Sequence, residues 1–556
     1  MKTLKRISAY FVAATMAFGI ATAQNYDTGG LIIDPNTVSA FDMFSSAQTQ
    51  FSMGTARSAA MAGAFTSLGG DLASMSINPA GLGMYRTNEF SITPMMNFSR
   101  SKSNASPFEG NAKNRFSLGS VGIVLKLRES SKGVTAINLG FGYTRLADFN
   151  YRYSFGTTGR AGDSSIADVF ALQMKSSGLT SKELNNNYVG DAFDWGRINP
   201  VDWGATLGYL TGAIGDASGV WDRDMIGRNA AVDSYTTVES VGSSGEYDIS
   251  LGINVNSKLY IGATLGIPMI SISRDIYYGE GYRYDRDPSI DYRMDYFDYD
   301  QSARLKGTGV NFKIGAIYRP IDGLRIGVAL HSPTYYAMNY KYKAGMTSRV
   351  KALNNSADYQ LDGNGYLNPP LSYSTDTLID EGEYGWKYIS PTRLLVGISY
   401  TFGERAVISV DYERDWYNGM RVKGSPYNGI YGKGLYKEFF RESFRGSNTL
   451  RVGAEVRIIP QVALRAGYGM WAGALRDRDA IFSSPVIRRT DYVGAGVGVA
   501  LSKHFTIDVA YQYYHNRMTP YKNFFASDRN GLDVASATYR TTIDRHAAIV
   551  TLGVRF

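Results

Sequence analysis

The strongest constraint in this sequence is a strict alternation of apolar residues with polar or small residues. It is clearest in the C-terminal third, over 450–458, 462–468, 505–513 and 548–556. In the first segment the apolar residues are Leu450, Val452, Ala454, Val456 and Ile458, and the residues between them are Arg451, Gly453, Glu455 and Arg457. Successive side chains of a β-strand point to opposite faces, so a period of two puts all the apolar side chains on one face. These segments are predicted to be amphipathic β-strands.

The length and spacing of the segments favour a transmembrane barrel over a soluble β-sandwich. The segments run for about ten residues or more, enough to cross a bilayer at a tilt, whereas sandwich strands commonly have about five or six. Short connections near 128–133, 256–258, 319–323, 401–405, 459–460 and 502–503 alternate with long polar ones near 101–114, 152–237, 277–299, 346–384, 421–442, 476–487 and 521–539. Aromatic residues near segment ends would form interfacial girdles: Tyr318, Tyr400, Tyr412, Tyr468 and Tyr513. The pattern predicts an all-β fold, an antiparallel barrel of about fourteen strands.

A closed barrel also gives the charged residues of the strands a place away from lipid. In hydrocarbon every backbone N–H and C=O must be paired within the protein, and a closed barrel does this without leaving an edge. The charged residues expected on the lumen side are Lys313, Asp411, Arg451, Glu455, Arg465 and Asp508.

The first residues are typical of an export signal. Lys2, Lys5 and Arg6 precede an apolar stretch, and small residues follow it, so cleavage is expected after Ala23. There is no cysteine, which excludes disulfides and thiolate sites, and the formal charge of +8 is spread without a basic arm. We therefore expect an exported protein of the cell outer membrane with no nucleic-acid partner.

Residues 24–87 do not alternate. The stretch from Phe51 to Arg86, FSMGTARSAAMAGAFTSLGGDLASMSINPAGLGMYR, predicts turns and short helices whose small residues allow close packing inside a barrel. A disordered periplasmic leader is the alternative. The expected organisation is a signal peptide over 1–23, a plugging hatch segment over 24–87 and a transmembrane barrel over 88–556.

Asn78-Pro79-Ala80 and the segment NLGFGYTRLADFNYRYSF from Asn138 resemble, respectively, the hatch signature and the third strand of the long-chain fatty acid transporter (FadL/TodX-like) family of outer-membrane proteins, in its Bacteroidetes-type form. GTGVNFKIGAIYRPIDGLRIGVALHSP from Gly307 and TLRVGAEVRIIPQVALRAGYGM from Thr449 resemble its central and C-terminal hairpins. The likeness runs from about Phe51 to Phe556.

The resemblance implies a fourteen-stranded barrel whose lumen is blocked by a hatch. Such a barrel is expected to carry hydrophobic ligands and to release them sideways at a kink in the third strand. On this sequence the implied hatch residues are Asn78, Pro79, Ala80 and Gly81, with Ala80 and Gly81 expected to pack closely against the barrel wall. The implied kink residues are Leu146, Ala147, Asp148, Phe149 and Asn150. The connection 152–237 is much longer than the resemblance leads one to expect, so ligand capture is expected to differ.

No enzyme, metal or cofactor site is expected. The histidines His331, His504, His515 and His546 show no metal-ligand spacing, and Gly494, Gly496 and Gly498 lie mid-strand, as in a crowded barrel wall. The acidic run 275–300 is predicted to form strands extended above the membrane, with a calcium site as the alternative.

Passive uptake of hydrophobic small molecules, such as long-chain fatty acids, is the expected function. A scaffold for protein secretion or assembly, and a haem-related binding protein, remain as alternatives. The expected partners are the hydrophobic ligand, the lipid bilayer and the barrel-assembly machinery, the last through the C-terminal strand ending at Phe556. The ligand-binding residues cannot be assigned from the sequence.

Overall fold

A computed structural model describes residues 26–29, 54–105, 111–189, 192–198, 202–217, 219–285, 291–353, 359–375, 383–423, 440–441, 443–476, 486–528 and 533–556. The predicted signal peptide and its cleavage after Ala23 lie outside these residues, as does most of 24–53.

The described residues form fourteen barrel strands, β1 to β14. The uninterrupted strands are β1 (Glu89–Ser103), β2 (Ala112–Glu129), β4 (Ala231–Val255), β5 (Leu259–Arg283), β6 (Tyr292–Tyr318), β10 (Gly446–Ile459), β11 (Val462–Ala472), β12 (Ile487–Ala500), β13 (Phe505–Met518) and β14 (Thr541–Arg555). The strands in two segments are β3 (Val134–Asp148 and Tyr151–Thr157), β7 (Leu324–His331 and Tyr335–Ala352), β8 (Glu383–Ile389 and Arg393–Phe402) and β9 (Ala406–Trp416 and Arg421–Lys423).

The strands close into an antiparallel barrel. Each strand pairs with the next along the chain, and β1 pairs with β14 from Glu89–Arg555 to Ser103–Thr541. Closure pairs the first strand with the last, so the barrel has no free edge. The predicted fold class and strand number are confirmed, and the sandwich is excluded.

The two faces of the wall separate as the alternation predicts. On β10, Leu450 is 42% and Val452 39% exposed, whereas Arg451 between them is 3% exposed. Among the six charged residues predicted to face the lumen, Lys313, Asp411, Arg451 and Glu455 are buried. Arg465 of β11 forms ion pairs with Glu455 and Asp508 inside the barrel. The apolar outer face is the surface that hydrocarbon requires.

Short turns at one end of the barrel and long connections at the other follow the predicted order. The short turns span 130–133, 256–258, 319–323, 403–405, 460–461 and 501–504. Strand β5 continues to Arg283, and β6 begins at Tyr292. The run 275–300 therefore forms extended strands, as predicted.

The long connection between β3 and β4 folds into a small structured unit, called here the cap (residues 158–230). Its helices are α3 (Ile166–Ser177), α4 (Ser181–Asn185) and α5 (Trp203–Leu210), with a 3-10 turn at Trp195–Arg197. Its short strands pair as Tyr188–Val189 with Ala192–Phe193 and Ile214–Ala217 with Val220–Arg223. Sequence reasoning predicted a long connection here but not this structure.

The remaining short elements lie in the other connections and at the N-terminal side. Leu371–Ser374 adds to β7, and Tyr417–Gly419 is a 3-10 turn inside β9. Phe525–Asp528 pairs with both Tyr26–Gly29 and Asp533–Ala535, and Tyr521–Lys522 pairs with Thr538–Tyr539. No helix in the described part of the chain is long and apolar enough to cross a membrane.

The face assignment predicts how membrane assembly responds to charge. Replacing Val452 or Val550 with Arg should impair assembly, because a cation facing lipid near the bilayer midplane costs about 2–4 kcal/mol. Thr506→Arg should be tolerated, because Thr506 lines a polar cavity inside the barrel. Heat-modifiable migration on gels measures the folded fraction. Equal losses at all three positions would contradict the assignment.

Candidate functional site

The described part of the hatch segment, residues 54–87, lies inside the barrel. It forms helix α1 (Ala56–Ala60), helix α2 (Ser74–Ile77) and a 3-10 turn (Pro79–Met84). Helix α1 contacts β12, β13 and β14, whereas the 3-10 turn contacts β4, β5 and β6 on the other side. Nearly every residue from Gly54 to Gly83 is buried. The segment therefore bridges the lumen from wall to wall.

Glycines of the wall allow this close approach. Gly252, Gly262 and Gly315 are paired across β4, β5 and β6, and a Cβ at any of them would overlap atoms of Asn78, Pro79, Leu82 or Gly83. The wall glycines that face the hatch segment, called here the glycine belt, are Gly122, Gly140, Gly142, Gly252, Gly262, Gly315, Gly327, Gly397, Gly453, Gly467, Gly494 and Gly496. Glycine is common where another backbone approaches a strand closely.

Asn78 links the hatch segment to two strands. Its side-chain oxygen accepts a hydrogen bond from Ala80 N at 3.1 Å, which caps the 3-10 turn begun by Pro79. Its Nδ2 donates to Thr66 O at 2.7 Å and lies 3.4 Å from both Ala316 O of β6 and Val328 O of β7.

The two residues after Pro79 pack in different directions. Ala80 packs on Tyr260 and Ile317 of the wall. Gly81 instead faces Ser74 and Gly69 of the hatch segment itself, where an added Cβ would overlap them. The predicted wall packing therefore describes Ala80 and does not describe Gly81, because the 3-10 turn directs Gly81 towards the interior of the segment.

Charged and polar wall residues hold the rest of the hatch segment. Thr66 N donates to Asp411 at 2.7 Å. Arg57 Nε donates to Glu455 at 2.8 Å. Further contacts are Ser76 Oγ to Asp248 at 2.8 Å, Gln512 Nε2 to Ala59 O at 2.7 Å, Ala56 N to Thr551 Oγ1 at 2.7 Å and His331 Nε2 with Ile77 O at 2.9 Å. Buried groups of this kind cost free energy if left unpaired, so they fix one position of the segment.

The five residues predicted from the resemblance to form a kink lie where β3 leaves the regular ladder. Leu146 is skipped in the pairing with β4, because Arg145 pairs with Gly245 and Ala147 with Ser244. The regular strand stops at Asp148 and resumes at Tyr151. Leu146, Ala147, Asp148, Phe149 and Asn150 are all buried.

Near the same residues of β3, its pairing with the neighbouring strand β2 also ends. The ladder between β2 and β3 runs up to Ser120–Thr144, and beyond it β2 pairs with β1 but with no described residue of β3. The upper segment of β3 reaches the chain just after β1 instead, where Gly156 N donates to Ala105 O at 2.9 Å. The wall therefore has a break between β2 and β3.

Side-chain hydrogen bonds surround this irregular segment of β3, towards β4 on one side and across the break to β2 on the other. Asn150 Nδ2 donates to Gly242 O at 3.1 Å, and Gly242 N donates back to Asn150 Oδ1 at 3.3 Å. Asp148 accepts from Asn150 N at 2.9 Å and from Arg145 at 2.9 Å. Arg115 of β2 reaches Asn150 Oδ1 at 3.1 Å. These polar contacts satisfy backbone and side-chain groups that would otherwise be unpaired.

A continuous apolar cluster extends from the break into the cap. It begins at Ala147 and Phe149 and includes Phe155. The ring centroids of Phe155 and Tyr539 are 4.0 Å apart. It continues to Phe170 of α3, whose ring is 5.8 Å from that of Tyr299.

The cap is held at its helix α3 by a buried carboxylate. Glu280 of β5 accepts hydrogen bonds from Ile166 N at 2.8 Å and Tyr282 OH at 2.6 Å, and also from Ser165 Oγ. A carboxylate at a helix N-terminus is stabilised by the helix dipole. A sequence signal that could have predicted α3 is the capping box of Ser165 and Asp168 before an apolar run.

The cavities on the two sides of the hatch segment differ in size, and charged residues line both. A cavity of about 830 Å³ lies on the side of the short turns, lined by charged residues that include Arg57, Asp71, Arg405 and Glu455. Burial raises the pKa of the Asp71 carboxyl, and the Arg57 guanidinium opposes the rise. A cavity of about 40 Å³ lies on the opposite side, beside Leu146.

The histidines do not converge. His331 lies in the lumen against the hatch segment, whereas His515 and His546 contact Asp544 and Tyr511 through their ring nitrogens, each at 2.6 Å. No group of three or more metal-ligating side chains occurs in the part of the chain that the structure describes.

No family model matches the chain, and no curated protein matches it. Solved structures do align with it. The toluene transporter TodX of Pseudomonas putida matches at 14% identity and a TM-score of 0.47, over 90% of this chain and 98% of that one. A FadL homologue of Pseudomonas aeruginosa matches at 13% identity and 0.49, over 90% and 98%. The toluene transporter TbuX of Ralstonia pickettii matches at 15% identity and 0.44, over 92% and 100%.

The Asn78 contacts predict that the hatch segment loosens without loss of the barrel. Replacing Asn78 and Pro79 together with Ala removes the turn cap and leaves Thr66 O and Ala80 N without their side-chain partner, at about 1–3 kcal/mol each. The ladders of the wall do not include these residues, so assembly should be unchanged. Single-channel conductance in planar bilayers should rise for small ions. Unchanged conductance and uptake would contradict a plugging role for the turn.

The glycine belt gives an independent test of the same contact. Gly315→Val places a branched side chain on Asn78 and should raise conductance as the Asn78 and Pro79 replacement does. Gly345→Val is the control, because a Cβ there has ordinary contacts of 3.6 Å or more. A Gly315→Val barrel that folds and stays closed would show that the hatch segment does not need this approach.

Proposed function

We propose that the chain is an outer-membrane channel for passive uptake of hydrophobic small molecules, such as long-chain fatty acids, with the hatch segment blocking the straight path. Cargo enters through the cap, moves along the apolar cluster and leaves sideways through the break between β2 and β3. The observation that carries the proposal is the coincidence of that break with the inner end of the apolar cluster, at Ala147 and Phe149.

The polarity of the lumen supports sideways release. Below the hatch segment, apolar cargo would have to cross a cavity lined by Arg57, Asp71, Arg405 and Glu455, and moving an apolar group among charged, hydrated side chains brings no gain in burial. At the break, the same cargo meets the outer face of the barrel, where Phe116 is 71% exposed and Phe141 41% exposed. The membrane therefore offers the more favourable exit.

The N-terminal residues fit this scheme as an export signal cleaved after Ala23, followed by the hatch over 24–87 and the barrel over 88–556. Recognition of the strand ending at Phe556 by the barrel-assembly machinery belongs to the same proposal. Glu89, at the Phe556 end of the closing seam, forms an ion pair with Arg555 at 2.8 Å.

The absence of cysteine allows the break to be closed and reopened. A chain carrying Arg115→Cys and Asn150→Cys, treated with a short bis-thiosulfonate, is tied across the break. Uptake of a labelled long-chain fatty acid by cells should fall on cross-linking and recover on reduction. Labelled toluene, measured alongside, distinguishes the two kinds of cargo.

The matched control is Ser120→Cys with Thr144→Cys, a pair already opposite each other in the ladder below the break. Cross-linking this pair should leave uptake unchanged. If cross-linking the Arg115 and Asn150 positions also left uptake unchanged, cargo would not leave through the break. If neither cargo were taken up by the unmodified protein, the transport proposal would itself be wrong.

A further inference from the structure

Five exposed cations lie together on the outer face of the three strands β6, β8 and β9. Arg304 and Lys306 project from β6, Lys387 from β8, and Arg421 and Lys423 from β9. These five residues are called here the basic patch. The intervening strand β7 adds Lys341, which pairs directly with Arg304. The function proposed above does not use any of these residues.

Strand register places the basic patch just beyond the apolar outer band. Val310, Tyr335, Ile389 and Arg421 form one row across β6 to β9. Val310 is 50% and Tyr335 62% exposed, so this row marks the upper edge of the lipid-facing surface.

The other cations lie in the next rows towards the long connections. Lys387 and Lys423 pair with each other one row above Arg421, and Lys306 and Arg304 lie in the two rows after that. Successive rows are about 7 Å apart along a strand, so the patch spans about 20 Å. This is the level of lipid headgroups.

The basic patch has more cations than acids among its described neighbours, where the nearest acids by register are Glu383, opposite Lys341, and Asp275, opposite Ser302. Arg304 lies opposite Ser273 and Lys341, and Lys306 lies opposite Ser271 and Asn339. No described residue makes a hydrogen bond or ion pair with the side chain of any of the five patch residues.

The other side of the barrel differs at the same level. There Arg489 bonds to Asp491 at 2.6 Å and His515 to Asp544 at 2.6 Å. Arg517 also approaches Asp491, at 3.9 Å. The unbalanced charge is therefore local to β6–β9.

From this arrangement we infer that the basic patch binds the phosphate groups of lipids in the outer leaflet. The side chains point outwards from the barrel wall, so the ligand comes from the membrane and not from the lumen. Cations at a membrane surface attract anionic lipid headgroups, and several close together select for lipids that carry more than one phosphate. Such binding holds the β6–β9 side of the barrel at a fixed depth in the bilayer.

The test compares two fourfold variants with the unmodified protein in mild detergent. The patch variant carries Lys306→Gln, Lys387→Gln, Arg421→Gln and Lys423→Gln. The control carries Arg100→Gln, Lys102→Gln, Arg489→Gln and Arg517→Gln, which remove the same charge from the side of the barrel that has acids. Native mass spectrometry measures binding of lipid A with two phosphates, and inorganic phosphate is the competing small anion.

Binding of lipid A should weaken by roughly tenfold or more in the patch variant and should persist in the control, while millimolar inorganic phosphate should not displace it. Equal weakening in both variants would overturn the inference in favour of general surface charge. Displacement by inorganic phosphate would overturn it in favour of a free-anion site. Heat-modifiable migration checks folding, and Lys387→Gln with Lys423→Gln serves as a smaller variant. Fatty acid uptake is not a readout here, so failure of the transport proposal would leave this result unaffected.

Discussion

The structure depends on the pairing of backbone hydrogen bonds in a medium that offers no water. Closure of fourteen strands satisfies this requirement around the whole circumference, from the β1–β2 ladder to the β1–β14 seam. Where one ladder stops, between β2 and β3 above Ser120–Thr144, other groups must take its place. Arg115 bonds to Asn150 across the break, Asp148 bonds to Asn150 within β3, and Asn150 bonds to Gly242 of β4, so a break in the wall is compatible with a folded barrel.

Filling the barrel sets a second constraint on the same strands. A segment that crosses the lumen must approach the wall closely on several sides, and the glycine belt removes side chains where its backbone passes. Neighbouring lumen positions carry polar groups such as Asp411, Asp248 and Glu455, which bind the segment at fixed points. Glycine thus provides the space, and the polar groups determine the position.

The lumen is divided as a consequence. On the cap side, aromatic residues of α3 and of the extended strands form an apolar cluster that ends at the break. On the side of the short turns, charged residues line the larger cavity. A hydrophobic molecule would be stabilised against the apolar cluster and not in the charged cavity, because apolar surface gains free energy only where it leaves water. The division and the break together define the proposed route.

The sequence by itself determined the barrel, because period-two alternation acts residue by residue and needs no distant partner. It assigned Leu450 and Val452 to the lipid face and Arg451 and Glu455 to the lumen, and the spacing of short and long connections gave the strand number. It also marked the turn at Asn78-Pro79, since capping and a fixed φ are local properties.

Only the tertiary structure decided what depends on contacts between distant segments. The glycines of β4, β5 and β6 become a belt only when three strands are in register and the hatch segment lies against them. The direction of Gly81 depends on how its turn packs, which is not a local property. The hydrogen bonds from Asn150 to Gly242 and from the cap to Glu280 join residues far apart in the chain. The same holds for the basic patch, whose cations come from β6, β8 and β9 and meet because closure and register bring those strands together.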